Sequence, residues 1–235
     1  DALMFGKLSF SFSLTNIFLS FVSAISVVLF PSLKRMSGNE LPNLYGKIRG
    51  SISPILFVAM IAYFPLCAIL EVWLPQYAVS LQYLGILLPL IIFSSKVSLL
   101  TNNYLKAYRK EKAMLLVNLI TVAVGMALFC VSAYIFNNVE LLLYCVVLSM
   151  MLRSIISECI VMKIIGKTYI KDFILELLMT IAFMLIVQFL SRWIGCAVYV
   201  AVVVVYLILN YKNIIMVFNM VKNLIITKRN KGTDQ

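Results

Sequence analysis

Histidine is absent from the 235 residues, which removes the commonest general base and a principal metal ligand together. Histidine-dependent membrane transferases and zinc proteases are therefore excluded. No nucleophile, base and metal constellation is visible, so neither enzymatic activity nor a cofactor or metal is expected. Carboxylates are scarce, nine against 20 basic residues. The five cysteines, Cys67, Cys130, Cys145, Cys159 and Cys196, are widely spaced, form no CxxC pair and lie within or beside apolar segments. They read as packing residues. A Cys130–Cys145 bridge is conceivable only because a short joint separates them. All six prolines occur by residue 89. The chain opens on Asp1 with no basic n-region and short apolar stretch before its first span, so it reads as a piece of a longer protein without a signal peptide.

What is abundant is apolar surface. At 63% hydrophobic and 12% charged residues, no arrangement in water could cover the chain. The +11 net charge would suggest nucleic acid in a soluble protein. Here the basic residues are spread over loops between apolar stretches, where they orient the chain and face anionic lipid, so no nucleic acid partner is expected.

A hydrocarbon core of roughly 30 Å takes about 20 helical residues to cross. Seven windows meet that length: 10–30, 52–70, 81–100, 113–136, 141–165, 173–190 and 193–210. The fold class expected is all-α, a polytopic transmembrane helix bundle over residues 1–211. Residues 212–227 place Ile214, Val217, Phe218, Val221, Leu224 and Ile225 opposite Lys212, Asn219, Lys222 and Asn223, as in an interfacial amphipathic helix, and 228–235 read as a disordered tail.

Positive charge in short loops stays cytoplasmic. One set of joints carries Lys34, Arg35, Lys47 and Arg49, then Lys106, Arg109, Lys110 and Lys112, then Lys163, Lys167 and Lys171, then the basic tail. The opposite set has only Lys7 and Arg192. The N-terminus is expected outside and the C-terminus in the cytoplasm, with Trp73 and Trp193 at outer helix ends.

Along the first span, Ser9, Ser13, Asn16, Ser20 and Ser23 share one helical face. Such a stripe either packs against another helix or walls a polar cavity, and Asn16, some 9 Å into the span, is costly in lipid. Pro54, Pro65 and Pro89 interrupt the second and third spans, with Gly85 a turn before Pro89, and read as hinge candidates of a moving protein. Arg153 lies about 18 Å along the fifth span and shares its face with Ser149 and Ser157, whereas Glu158 is about 140° around the same helix and a poor partner within it. Lys96 is within about 6 Å of the inner end of its span, near enough to snorkel to the headgroups. The substrate-cavity candidates are thus Arg153, Lys96, Asn16, Ser13, Ser20, Ser149 and Ser157, and a pathway of that sign favours an anionic head group.

Three local patterns carry a family resemblance. Val28-Leu29-Phe30-Pro31-Ser32-Leu33 followed by Lys34-Arg35, Trp73-Leu74-Pro75-Gln76-Tyr77 ahead of Leu84-Gly85-Ile86-Leu87-Leu88-Pro89, and Leu105-Lys106-Ala107-Tyr108-Arg109-Lys110-Glu111 resemble, in order and sidedness, segments of oligosaccharide flippases in the multidrug/oligosaccharidyl-lipid/polysaccharide exporter superfamily. The likeness covers about the first 110 residues; beyond them it rests on hydropathy. Gln76 and Tyr108 stand where an acidic and a small residue are commoner in that family.

The resemblance implies a protein of about fourteen helices in two lobes plus two extra helices, of which seven spans entering from outside match the C-terminal portion. It implies a bacterial cytoplasmic membrane protein for surface polysaccharide biosynthesis. Its partners would be membrane lipid, an undecaprenyl-pyrophosphate-linked oligosaccharide as substrate, and the N-terminal lobe of the same transporter. Translocation would run from the inner to the outer leaflet by alternating access. A self-contained seven-helix sensor or receptor and a non-transporting membrane scaffold are the other readings; the first finds no lysine in residues 193–210 for a retinal Schiff base.

Overall fold

The computed structural model describes residues 2–34, 41–136 and 139–211. The described residues form helices and no strand. In chain order these are α1 (Ala2–Lys34), α2 (Leu41–Met60), α3 (Tyr63–Trp73), a single 3₁₀ turn (Pro75–Tyr77), α4 (Ala78–Ser95), a π-helical segment (Lys96–Thr101), α5 (Asn102–Ala107), α6 (Glu111–Val131) with a π-helical end (Ser132–Phe136), α7 (Val139–Ile165), α8 (Ile170–Phe189) and α9 (Arg192–Leu209).

Among the described residues six rods are long and apolar enough to cross a membrane: Phe5–Val27, Leu41–Trp73, Pro75–Ala107, Glu111–Tyr134, Val139–Ile165 and Arg192–Leu209. The chain is a helical membrane protein. The sixth expected span, 173–190, falls in α8, 20 residues whose first two turns carry Lys171, Asp172 and Glu176. The amphipathic helix expected at 212–227 and the tail at 228–235 lie outside the described residues.

Two rods are longer than their apolar windows. The second begins at Leu41, well before residue 52, because Lys47 and Arg49 are helical although a hydropathy window rejects them. The third runs from Pro75 to Ala107, about 50 Å at the helical rise.

Packing follows from apolarity all round α4: fourteen of its residues are buried, from Ser80 to Ser95. A helix without a polar face belongs in the middle of a bundle, and α4 packs against α1 and α7, with α2 and α8 also in contact. α6 pairs with α7, and α8 with α9. In lipid this association comes from close packing and interhelical hydrogen bonds, not from expulsion of water. Phe57, Phe64, Phe183, Tyr199 and Tyr206 make the aromatic centre between α2, α3, α8 and α9. Tyr45, Leu100, Tyr104 and Val161 fill the end of the bundle where the lysine-rich joints lie.

The hinge candidates divide. Pro54 and Pro89 are themselves buried and sit inside unbroken helix, in α2 and α4. Before Pro65 the rod breaks: Ile61 and Ala62 donate to Val58 and Ala59 carbonyls, three residues back, at 3.1 Å each. A proline ring displaces the carbonyl four residues before it, here that of Ile61, which accounts for the joint. Gly85 is a contact point: a Cβ there would stand 2.6 Å from both the Tyr63 hydroxyl and Val187 Cγ1. The five cysteines are free.

Candidate functional site

α1 has two polar faces, and they do different things. Ser11, Thr15 and Ser26 point inward and are buried. Ser11 donates to the Ser80 carbonyl at 2.6 Å and Ser26 to the Ser98 carbonyl at 2.7 Å, while Asn103 Nδ2 donates to Ser26 Oγ at 3.0 Å. These bonds hold α1 to the long central rod. Ser13, Asn16, Ser20 and Ser23 occupy the other face and are exposed. Ser20 returns its hydroxyl to the Asn16 carbonyl at 2.8 Å. Interhelical packing within the described bundle is therefore carried by the first face, not by the stripe.

The exposed stripe runs into a groove of about 200 Å³ between α1, the central rod and α7, lined by Ser23, Ser94, Ser98, Asn102 and Arg153 together with Leu19, Val22, Val97 and Met150. Arg153 also lines a second groove of about 380 Å³ between α6 and α7, with Asn118, Thr121 and Ser149 as its other polar residues. Ser149 spends its hydroxyl on the Val146 carbonyl at 2.8 Å. Arg153 makes no ion pair among the described residues, and its Nε is buried without a hydrogen-bond partner. Ser94 Oγ is in the same condition. Ser157 is buried and lines neither groove.

Lys96 is elsewhere. It does not snorkel: the side chain is 1% exposed and donates to Glu158 Oε2 at 2.7 Å and Glu176 Oε2 at 2.5 Å. Arg49, equally buried, pairs through Nε with Glu158, through Nη2 with Glu176 at 3.5 Å, and through Nη1 with Asp172 at 3.2 Å. Ser53 donates to Glu176 Oε1 at 2.5 Å. Arg49 lies over the Tyr169 ring and Lys96 over that of Phe173. Burial raises the Tyr169 phenol above its ordinary value, with Arg49 opposing the shift. Two cations thus face three carboxylates contributed by α2, the π-helical segment, α7 and α8. An anion has nothing to gain there, so Lys96 leaves the set of residues that can meet an anionic head group. Glu158, a poor partner for Arg153 on its own helix, is the partner of two cations from other helices.

At the opposite end of the bundle Arg192 grips Glu71 through both terminal nitrogens. The jointed α2–α3 rod is therefore pinned twice, by Arg49 at one end and Glu71 at the other, with the Ile61–Ala62 break between. Trp73 and Trp193 stand exposed beside the second pin.

The apolar windows single out none of Arg49, Asp172 and Glu176: the first two fall in the basic joints and the third inside the window 173–190. A signal was present: Tyr45, Arg49 and Ser53 recur every fourth residue, and all three are buried on one face of α2.

No protein-family model, curated protein or solved structure matches this chain.

Proposed function

We propose that the chain is the C-terminal portion of a membrane flippase that moves an undecaprenyl-pyrophosphate-linked oligosaccharide from the inner to the outer leaflet by alternating access. It acts in the bacterial cytoplasmic membrane, with the lysine-rich end of the bundle in the cytoplasm and the N-terminus of this chain outside. The observation that carries the reading is the exposed polar face of α1, Ser13, Asn16 and Ser20, leading to Arg153. In hydrocarbon a polar helix face is stable only against water or another protein surface. A facing N-terminal lobe supplies both, enclosing a hydrated path.

In that path Asn16 and the serines exchange hydrogen bonds with sugar hydroxyls without fixing them in register, which suits a substrate that must leave again. Arg153 offsets the charge of the head group. The lipid tail stays in the bilayer along the apolar flanks of α1. Motion is supplied where the α2–α3 rod is already broken, at Ile61 and Ala62.

The test is restoration of surface polysaccharide by the full-length parent gene in a cell lacking its own flippase. Restoration, lost when Asn16 and Ser20 are replaced by leucine in a protein still present in the membrane, supports the reading. Absence of restoration by a correctly inserted parent contradicts it.

A further inference from the structure

We infer that Tyr199 is a latch on the α2–α3 joint: its hydroxyl holds the Phe57 carbonyl that the break sets free, and so favours the bent rod over the straight one. The inference rests on the transport reading for its purpose and on geometry for its existence.

In a continuous helix the Phe57 carbonyl accepts from the N–H of Ile61, four residues on. At the joint that N–H turns instead to the Val58 carbonyl, at 3.1 Å. The Phe57 carbonyl is thereby left without its helical partner at a buried residue, where water cannot replace it. Tyr199 of α9 fills the gap: its side chain is buried and its hydroxyl donates to that oxygen at 3.1 Å. Pro65 displaces the Ile61 carbonyl. The Phe57 carbonyl, about two turns before the proline, is left to the tyrosine.

The ring of the same tyrosine touches the far side of the break. It packs on Phe64 of α3 with centroids 6.0 Å apart, and on Phe183 of α8 at 5.0 Å. One turn earlier on α9, Gly195 brings backbone against α3: a Cβ there would stand 3.2 Å from Phe64 Cε1. At the outer end Arg192 grips Glu71. α9 therefore holds α3 through Arg192, Gly195 and the Tyr199 ring, and holds α2 through the Tyr199 hydroxyl. A straight rod returns the Ile61 N–H to Phe57, and the carbonyl then no longer depends on the tyrosine. An interaction shifts a two-state equilibrium only by its difference between the states. The hydroxyl counts for more in the bent state, where it takes the place of the missing helical donor. Tyr206, also of α9, packs its ring on Phe57 at 5.1 Å without bonding that carbonyl.

The test is the distribution of spin-label distances between residues 47 and 72, exposed positions on the two halves of the rod, in the chain reconstituted in lipid nanodiscs with its five native cysteines replaced by alanine. Tyr199→Phe removes the hydroxyl and keeps the ring. It is expected to raise the proportion of long to short distance about two- to tenfold, read in the Pro65→Ala background where the wild type gives the short distance alone. Tyr206→Phe is expected to leave the proportion unchanged. An unchanged proportion for Tyr199→Phe in both backgrounds overturns the inference. So does an equal shift in Tyr206→Phe, which would report general loosening of the aromatic centre. A shift specific to Tyr199→Phe, with no polysaccharide restored by the full-length parent, keeps the latch and removes the transport reading. Restoration by the parent with no shift in Tyr199→Phe does the reverse.

Discussion

Lys96 Nζ lies 2.5 Å from Glu176 Oε2, both groups buried, joining the central rod to α8. Glu158 and Arg49 close the same network from α7 and α2. The most prominent charges inside this bundle therefore serve one another.

Removing one member of a buried ion pair leaves the other charge without compensation, which costs about 3–5 kcal/mol. Lys96→Met is expected to lower stability by an amount in that range, read from thermal unfolding in detergent. Ser53→Ala removes one hydrogen bond to a charged acceptor and is expected to cost about 1.5–3 kcal/mol. Transport lost with stability unchanged in Lys96→Met would return the lysine to the substrate path.

The Glu71–Arg192 pair at the other end is about one-third exposed on both sides. Screening by water leaves such pairs worth about 0–1 kcal/mol. Arg192→Gln is expected to change stability by no more than that, and raising the salt concentration is expected to narrow even this difference. A loss as large as that of Lys96→Met would show that the outer pin is dry in the membrane.

Two helix ends differ in how well their residues suit the backbone. Arg109 adopts φ 55° after α5, with its own N–H bonded to the Lys106 carbonyl at 3.0 Å and that of Lys110 to the Leu105 carbonyl at 2.7 Å, the hydrogen-bond pattern of a Schellman cap, in which glycine is preferred. Arg109→Gly is expected to raise stability by about 0.5–1 kcal/mol. Gly166, at φ 69° after α7, already suits its position, and Gly166→Ala is expected to cost about 1 kcal/mol. Unfolding midpoints moving in opposite directions check both.

At Gly85 an added methyl meets the Tyr63 hydroxyl and Val187 at 2.6 Å. Gly85→Ala is expected to destabilise by about 1–3 kcal/mol through overpacking, because it pushes α4 away from α3 and α8. Pro65→Ala acts differently: it restores a donor at the joint and is expected to straighten the α2–α3 rod, read as a longer spin-label distance between residues 47 and 72. An unchanged distance would mean that packing against α8 and α9, and not the proline, sets the bend.

The helices were legible in the sequence because a 20-residue apolar window has few other uses in a chain this short of charge. The start of α2 was not, since Lys47 and Arg49 end any such window, and only knowledge of which helices adjoin reveals that Glu158 and Glu176 wait for Arg49. Depth along a helix was legible too: it placed Arg153 and Lys96 inside the bundle. Their surroundings were not, because one meets carboxylates 62 and 80 residues away in sequence and the other meets none among the described residues. On α1 both polar faces, Ser11, Thr15 and Ser26 and Ser13, Asn16 and Ser20, keep to helical spacing, and nothing in it says which one the rod Pro75–Ala107 covers. The π-helical segment at Lys96 left no sequence signal.

Asn16 and Arg153 are proposed to belong to one translocation path for a lipid-linked oligosaccharide. The most direct measurement is the rate at which the full-length protein, reconstituted in liposomes, moves that lipid between leaflets. Rapid translocation in the wild type, falling at least tenfold in Arg153→Gln and in Asn16→Leu while Arg192→Gln keeps its rate, is the expected result. Translocation by the wild type no faster than in protein-free liposomes, or undiminished by the first two substitutions, would contradict it.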